Sequence, residues 1–381
     1  MKKTEFIPVC MPYLAGKEET YIIDAIRSGW ISSAGQYIEK FEKEFASFCG
    51  RRFGVSTTNG TTALHLSLLS LGIGKGDEVI MPDFTMVAPL FAVLYCNAMP
   101  VFVDVEEGTW NINPELIEKK ITKNTKAIMP VHIYGHPAEM NAITRIANKY
   151  GLKIIEDAAE AHGAEYFNKK CGGIGDVGCF SFFANKIITT GEGGMLVTDN
   201  GKIAENAKYF RNLCFPIDGT RNYSHGNLGY NFRLTNIQAA IGLAQLEKID
   251  DYINMRRENA HLYNELLKGI PGIQTPIEKE GSKNVYWMYA ITVDSKKFGL
   301  TRDELVIKLK ERGIDTRLFF KPMHNQPFLK KFGIIDKDKY PVAGKISKTG
   351  LYLPSSSSLS KEQITFIVDT INVIYREVKK S

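Results

Sequence analysis

Lys186 stands just past an apolar run, residues 179–183, and just before a turn built from Thr189, Thr190, Gly191, Glu192, Gly193 and Gly194. Lysine is among the side chains least often buried, because its ammonium is strongly hydrated. At the end of a core strand it has two physical outlets. Either it snorkels, with the stem buried and the charge in water, or burial lowers its pKa and leaves an amine able to attack a carbonyl. What else the chain brings to the same place decides between them. Asp157 ends the apolar run 153–157, Asn59-Gly60-Thr61 precedes the helical run 63–71, and Ser181 lies inside the run that leads to Lys186. A small polar turn that opens a helix aims free N–H groups and the positive end of the helix dipole at one point; that suits a phosphate, and it equally suits an ordinary Asn or Thr cap.

The elements that must position these groups follow from hydrophobic periodicity. Residues 78–81, 100–104, 127–133, 153–157 and 179–183 read as strands, and 86–96, 114–120 and 140–150 as helices between them. Near-continuous apolar strands separated by helices predict an α/β fold with a mostly parallel sheet, whose ligands sit beyond the carboxyl ends of the strands. Upstream, a helical rhythm over 16–28 stops at Gly29, and the loop from Trp30 through Ser32 to Gly35 leads into an amphipathic helix through Ile38, Phe41, Phe45 and Phe48. Downstream come a helix over 202–210, an irregular polar stretch over 218–229, and one long helix from Ile237 to about Leu267 of the kind that bridges two domains. A strand over 289–293, a helix over 301–312 and a terminal helix over 361–378 complete the chain. The expected division is a large α/β domain with an N-terminal arm over 1–250 and a smaller α+β domain over 251–381.

Composition narrows the class. In 381 residues, 44% hydrophobic and 24% charged side chains describe an ordinary globular protein, and a net charge of +6 without a long basic run gives nucleic acid no obvious footing. Cys10, Cys49, Cys96, Cys171, Cys179 and Cys214 are scattered without a Cys-x-x-Cys pair, which argues against a zinc ribbon or a disulfide framework. No run approaches the ~20 apolar residues of a membrane span, and residues 1–5 lead into no signal-like core. A cytoplasmic location is expected.

Two chemistries could use the strand ends, and the first is that of a metal-dependent hydrolase. His132, His136, Asp157, Glu160 and His162 include metal-ligand types, but the His-x-x-x-His pair falls where a strand runs into a turn with Gly135 and Pro137, so the shared helical face that such spacing needs is lost. The other chemistry is that of pyridoxal phosphate. It needs a lysine for the aldehyde, a carboxylate for the pyridinium nitrogen and a cup for the phosphate. Lys186, Asp157, and Gly60 and Thr61 with Ser181 are candidates for the three.

The segments Asn59-Gly60-Thr61, Glu156-Asp157-Ala158-Ala159-Glu160-Ala161-His162-Gly163, Ser181-Phe182-Phe183-Ala184-Asn185-Lys186 with Thr190-Gly191-Glu192-Gly193-Gly194, and Gly229-Tyr230-Asn231-Phe232-Arg233-Leu234-Thr235-Asn236 resemble those of the nucleotide-sugar aminotransferases of the DegT/DnrJ/EryC1/StrS family. The resemblance covers nearly the whole chain. It implies fold type I, a homodimer with active sites at the interface, a Schiff base on Lys186, Asp157 at the ring nitrogen and Glu160 at the ring hydroxyl. It also implies Gly60, Thr61 and Ser181 at the phosphate, joined by Asn231 of the other subunit. Met86 stands where relatives place an aromatic residue over the ring, and its polarizable sulfur could pack there instead. Lysine at 186 favours transamination, since related sugar 3-dehydratases carry histidine at that position. The implied reaction moves the amino group of L-glutamate to a 4-keto-6-deoxy nucleotide sugar, GDP-4-keto-6-deoxymannose first, with dTDP- or UDP-linked 4-keto or 3-keto sugars as alternatives. Trp30, Ser32, His162, Tyr286 with Trp287, Arg317 and His324 lie in segments the family uses near its substrate, and packing or surface exposure accounts for each equally well.

Overall fold

The computed structural model describes residues 6–216, 220, 223–336 and 338–380, so that part of the polar stretch 218–229 lies outside the described residues. In chain order the strands are β1 (Phe53–Thr57), β2 (Glu78–Pro82), β3 (Met99–Val103), β4 (Thr125–Ile128), β5 (Lys153–Asp157), β6 (Glu165–Tyr166), β7 (Lys169–Lys170), β8 (Val177–Ser181), β9 (Gly194–Thr198), β10 (Ile273–Gln274), β11 (Ser282–Lys283), β12 (Tyr289–Val293), β13 (Arg317–Leu318) and β14 (Gly350–Leu353). The helices are α1 (Glu18–Arg27), α2 (Gln36–Phe48), α3 (Gly60–Ser70), α4 (Ala88–Tyr95), α5 (Met140–Tyr150), α6 (Gly201–Arg211), α7 (Asn236–Leu246), α8 (Ile249–Leu267), α9 (Ser295–Phe298), α10 (Arg302–Glu311), α11 (Pro341–Thr349) and α12 (Lys361–Lys380).

The central sheet has seven strands in the order β1-β9-β8-β5-β4-β2-β3. The pairs β2–β3, β2–β4, β4–β5 and β5–β8 are parallel, and β9 runs antiparallel to both β8 and β1. The mostly parallel sheet expected from alternating apolar runs is therefore present, with one reversed strand that the glycine-rich turn folds back beside β8. Every residue of β8 and β9 is buried, as befits central strands covered on both faces, and α3 packs across both of them.

Some expected boundaries move for physical reasons. The strand leading to Lys186 ends at Ser181, and the lysine sits in the turn that follows. The strand over 127–133 becomes the shorter β4, because Pro130 has no N–H for a ladder. The helix expected over 114–120 is two 3-10 turns, Pro114–Leu116 and Glu118–Lys120. The single long helix from Ile237 is two helices: Lys248 leaves helical geometry at φ −114°, and Glu247 is held by Tyr21 and Lys17 at 2.5 and 3.0 Å.

A second sheet, β10-β12-β14-β13, is antiparallel throughout and two-faced. Tyr289, Ile291 and Val293 of β12, with Leu351 and Leu353 of β14, pack into an apolar cluster with α8, α10 and α12. Their neighbours Ala290 and Tyr352 face the other way and join the core of the central sheet. Period-2 alternation thus makes one small sheet serve two cores. Helix α8 spans both as well, with Tyr252 and Ile253 in the first cluster and Ala260, Tyr263 and Leu267 in the second.

Candidate active site

The ends of β5 and β8, the segments that follow β2 and β4, and the start of α3 open on a cavity of about 460 Å³. Its lining includes Gly60, Thr61, Met86, Asp157, Glu160, Ser181 and Lys186 from the sequence reading, together with Thr85, Asn185, Trp287 and Phe320.

Lys186 is delivered by the turn after β8, where its N–H donates to the Phe183 carbonyl at 2.9 Å. Its Nζ lies 3.8 Å from the centroid of the Trp287 ring, and among the described residues no carboxylate forms an ion pair with it. Burial lowers its pKa below the ordinary lysine value, while the negative charges of Glu160 and Asp157 pull the other way. A lysine whose pKa is lowered and whose amine faces a cavity is suited to attack a carbonyl, since the neutral amine is the nucleophile.

Asp157 ends β5 with little exposed surface. The Ala159 N–H donates to its Oδ1 at 3.1 Å, which leaves the other carboxylate oxygen for a ligand. Burial raises its pKa, against the pull of the Ala159 N–H and the nearby Lys186. Its neighbour Glu156 points to the opposite side of the strand and is fully used: it accepts N–H groups of Gly172, Ile174 and Gly175 at 2.8, 2.7 and 2.6 Å and contacts His132 Nε2 at 3.0 Å. Glu160 accepts the Tyr134 N–H at 2.7 Å, and burial pushes its carboxyl up to about 7. The Tyr134 backbone sits at φ +54°, an uncommon conformation for a non-glycine residue that aims this N–H at Glu160.

The start of α3 supplies the backbone donors. Asn59 Oδ1 accepts the Thr62 N–H at 2.9 Å, and the Thr62 hydroxyl accepts the Asn59 N–H at 3.2 Å, a reciprocal cap that leaves the N–H groups of Gly60 and Thr61 uncommitted. Gly60 has a steric reason to be glycine, since a Cβ there would stand 2.8 Å from Cβ of Ser181. Removing that Cβ lets the helix start and the Ser181 hydroxyl approach one point.

The remaining sequence candidates lie elsewhere. Trp30 and Ser32 have exposed side chains, and their carbonyls accept the Asn236 Nδ2–H at 2.7 Å and the Asn236 N–H at 2.6 Å. Asn231 is exposed, with its Oδ1 on Arg233 Nε at 3.0 Å. His162 is fully buried against Phe45, Phe180 and Phe182, and burial drives its pKa down to about 3. Tyr286 turns at φ +46° into the second apolar cluster, and it is the next residue, Trp287, that faces the cavity. Arg317 is exposed on a neighbouring groove of about 540 Å³ that shares Phe183, Asn185, Trp287 and Phe320 with the cavity. His324 is bonded to Asp83 through Nδ1 at 2.7 Å and stacks on Tyr340.

Trp287, Asn185, Phe320 and Thr85 are among the lining residues to which the sequence motifs assign no role. For Trp287 the signal was the aromatic pair itself, whose two members must face opposite ways if the chain is extended. The metal-ligand types do not converge: His132 accepts the Ala138 N–H at 3.0 Å on the nitrogen opposite Glu156, and His136 is held by the Pro137 carbonyl and the Lys279 N–H at 2.8 and 3.2 Å. Among the described residues no three His, Cys, Asp or Glu side chains could hold a metal ion.

The residues present suit pyridoxal phosphate. A lowered-pKa amine, an acid with a spare oxygen and a helix start with two free N–H groups surround one cavity, and Oδ1 of Asn185 is buried there without a partner.

The signature of the DegT/DnrJ/EryC1/StrS aminotransferase family matches residues 12–372. The chain is 43% identical over 374 residues to the GDP-perosamine synthase of Escherichia coli O157:H7, covering 98% of this chain and 100% of the relative. It is 40% identical to the GDP-perosamine synthase of Caulobacter vibrioides, covering 97% and 98%. Among solved structures, DesV of S. venezuelae superposes with a TM-score of 0.87 at 35% identity over 94% of each chain. The PLP form of Spr1654 from Streptococcus pneumoniae superposes with a TM-score of 0.91 at 26% identity, over 98% of this chain and 99% of that one. With its signature matched almost end to end and its strand ends converging on a lysine, two acids and a helix start, this chain belongs to the DegT/DnrJ/EryC1/StrS aminotransferase family and is a pyridoxal-phosphate-dependent sugar aminotransferase.

Proposed function

We propose that the enzyme transfers the amino group of L-glutamate to C4 of GDP-4-keto-6-deoxymannose and so makes GDP-perosamine. What supports this over other nucleotide sugars is full-length identity of 40% or more to two relatives that bear that name. The bound cofactor supplies an aldehyde for the amine and a ring that withdraws electrons from the carbon losing its proton. Lys186 would be the base that takes the α-proton of glutamate in one half of the reaction and the acid that delivers a proton to C4 of the sugar in the other, a task suited to an amine whose pKa burial has lowered. Asp157 holds the ring nitrogen protonated, and Glu160 takes the ring hydroxyl. Gly60, Thr61 and Ser181 take the phosphate, with Asn231 of the partner subunit. Met86, 46% exposed and lining the cavity, would supply a polarizable sulfur for packing against the cofactor. Arg317, which lines the adjoining groove, would meet an anionic part of the sugar nucleotide.

The enzyme works as a cytoplasmic homodimer, its large and small domains divided near residue 250, and its product enters a surface polysaccharide such as O-antigen or lipopolysaccharide. No helix among the described residues is long and apolar enough to cross a membrane.

The test is glutamate-dependent turnover against a panel of GDP-, dTDP- and UDP-linked 4-keto and 3-keto sugars, with Lys186→Ala as control. Preference for GDP-4-keto-6-deoxymannose is expected, along with a fall in rate on the order of a thousandfold or more in the variant. A better dTDP or UDP substrate overturns the assignment of the sugar. Full activity without Lys186 overturns the assignment of the base.

A further inference from the structure

Asp83 is the first residue after β2 and is fully buried. Its N–H donates to the Val103 carbonyl of β3 at 2.8 Å. Its other polar groups go to one short stretch of the C-terminal third of the chain. The Asp83 carbonyl accepts the Met323 N–H at 2.7 Å, Oδ1 accepts the His324 N–H at 2.8 Å, and Oδ2 meets Nδ1 of the His324 ring at 2.7 Å. The ring then stacks on Tyr340, with centroids 4.8 Å apart and planes 28° apart. One strand over, Asp104 accepts the N–H groups of Val342 and Ala343 at 3.0 and 2.9 Å, and so caps α11, since Tyr340 just before the helix offers no side-chain cap.

Between these two acids the aromatic rings interlock. Phe84, next to Asp83, packs against Phe319 and Phe320 at centroid distances of 5.7 and 6.1 Å. Thr85 and Met86 follow Phe84 into the cavity lining, and Phe320 lines the same cavity. A buried carboxylate that loses a hydrogen-bond donor bears its full desolvation cost, and a charge-assisted bond is among the stronger ones a protein makes. Removing the ring of His324 therefore acts on the loop that Asp83 begins, at a distance from any ligand.

We propose that Asp83 and His324 form a clasp that holds the loop Phe84-Thr85-Met86 against the segment carrying Phe319 and Phe320, which makes His324 a positioning residue for the cofactor and not a ligand of the sugar. The assignment rests on the aminotransferase reading of the cavity, because Met86 and Phe320 act here as walls of the cofactor site.

The test titrates full-length apoenzyme with pyridoxal phosphate alone, following tryptophan fluorescence and the visible circular dichroism of the bound cofactor, for the parent, His324→Ala and His324→Asn. His324→Ala is expected to bind the cofactor about tenfold more weakly with an altered dichroism band, and His324→Asn, whose amide nitrogen replaces Nδ1, to recover to within about threefold. Unchanged affinity and dichroism in His324→Ala, with only the KM for the keto sugar raised, overturns the clasp and returns His324 to the substrate. If His324→Ala does not fold, His324→Asn decides: parental binding supports the clasp, and about tenfold weakening overturns it. A chain that binds the cofactor yet aminates no keto sugar defeats the proposed reaction and leaves this measurement interpretable.

Discussion

Burial displaces three of the ionisable groups that line the cavity toward neutrality: Lys186 downward, Asp157 and Glu160 upward. The Glu160 shift has a readable consequence for stability. Its carboxyl moves from 4.5 in the unfolded chain to about 7 when folded, so the folded chain holds the proton more tightly. The resulting stabilisation is complete below about pH 4.5 and is lost as pH rises through about 7. In the cofactor-free protein, Glu160→Gln should therefore melt close to the parent at pH 5 and above it at pH 8.5, by up to roughly 3 kcal/mol or a few degrees. Thermal unfolding at the two pH values measures it, and an equal offset at both would mean that the Glu160 carboxylate is not strained in the folded chain. Asp157 and Glu156 are adjacent acids, and only the one whose carboxylate keeps a free oxygen beside the cavity is available for chemistry; the other is consumed by three backbone N–H groups and a histidine.

At the scale of elements, the start of α3 is the most constrained piece. Its reciprocal cap uses Asn59 and Thr62 and leaves the next two N–H groups free, and the absent Cβ of Gly60 admits Ser181. Gly60→Ala should cost about 1–3 kcal/mol through overpacking, and it should weaken binding of pyridoxal phosphate about tenfold by displacing the helix start. Urea unfolding and cofactor titration separate the two effects; a stable variant with parental affinity would show that α3 can shift without consequence for the site. The existence of most elements was legible from periodicity, including β5 and β12 to the residue. One exception has a cause distant in sequence. The break between α7 and α8 has no Pro or Gly to announce it, and contacts from Lys17 and Tyr21, more than two hundred residues away in sequence, hold Glu247 there.

For the whole molecule, the proposed dimer places Asn231 of one subunit beside Lys186 of the other. Mixing equal amounts of Lys186→Ala and Asn231→Ala subunits after reversible dissociation should then restore roughly a quarter of parental activity, because half the dimers are hybrid and one of their two sites is intact. No recovery in hybrids shown to form would place both residues in the same subunit's site. The two-faced sheet matters at this scale too. Ala290 and Tyr352 bind it to the central core, and Arg317 and Phe320 come from the end of it that adjoins the cavity.

Sequence alone determined that a parallel sheet forms and that Lys186, Asp157 and Gly60 fall at its carboxyl edge, because apolar runs and turn residues are local and their periods translate directly into strands, helices and their ends. Which residue of each neighbouring pair enters the cavity was decided by tertiary structure. Trp287 faces it while Tyr286 turns at positive φ into the other core, and His324, the right type for a substrate ligand, closes on Asp83 from 241 positions away. Side-chain direction at such places depends on the register and packing of elements distant in sequence, and no local pattern encodes that.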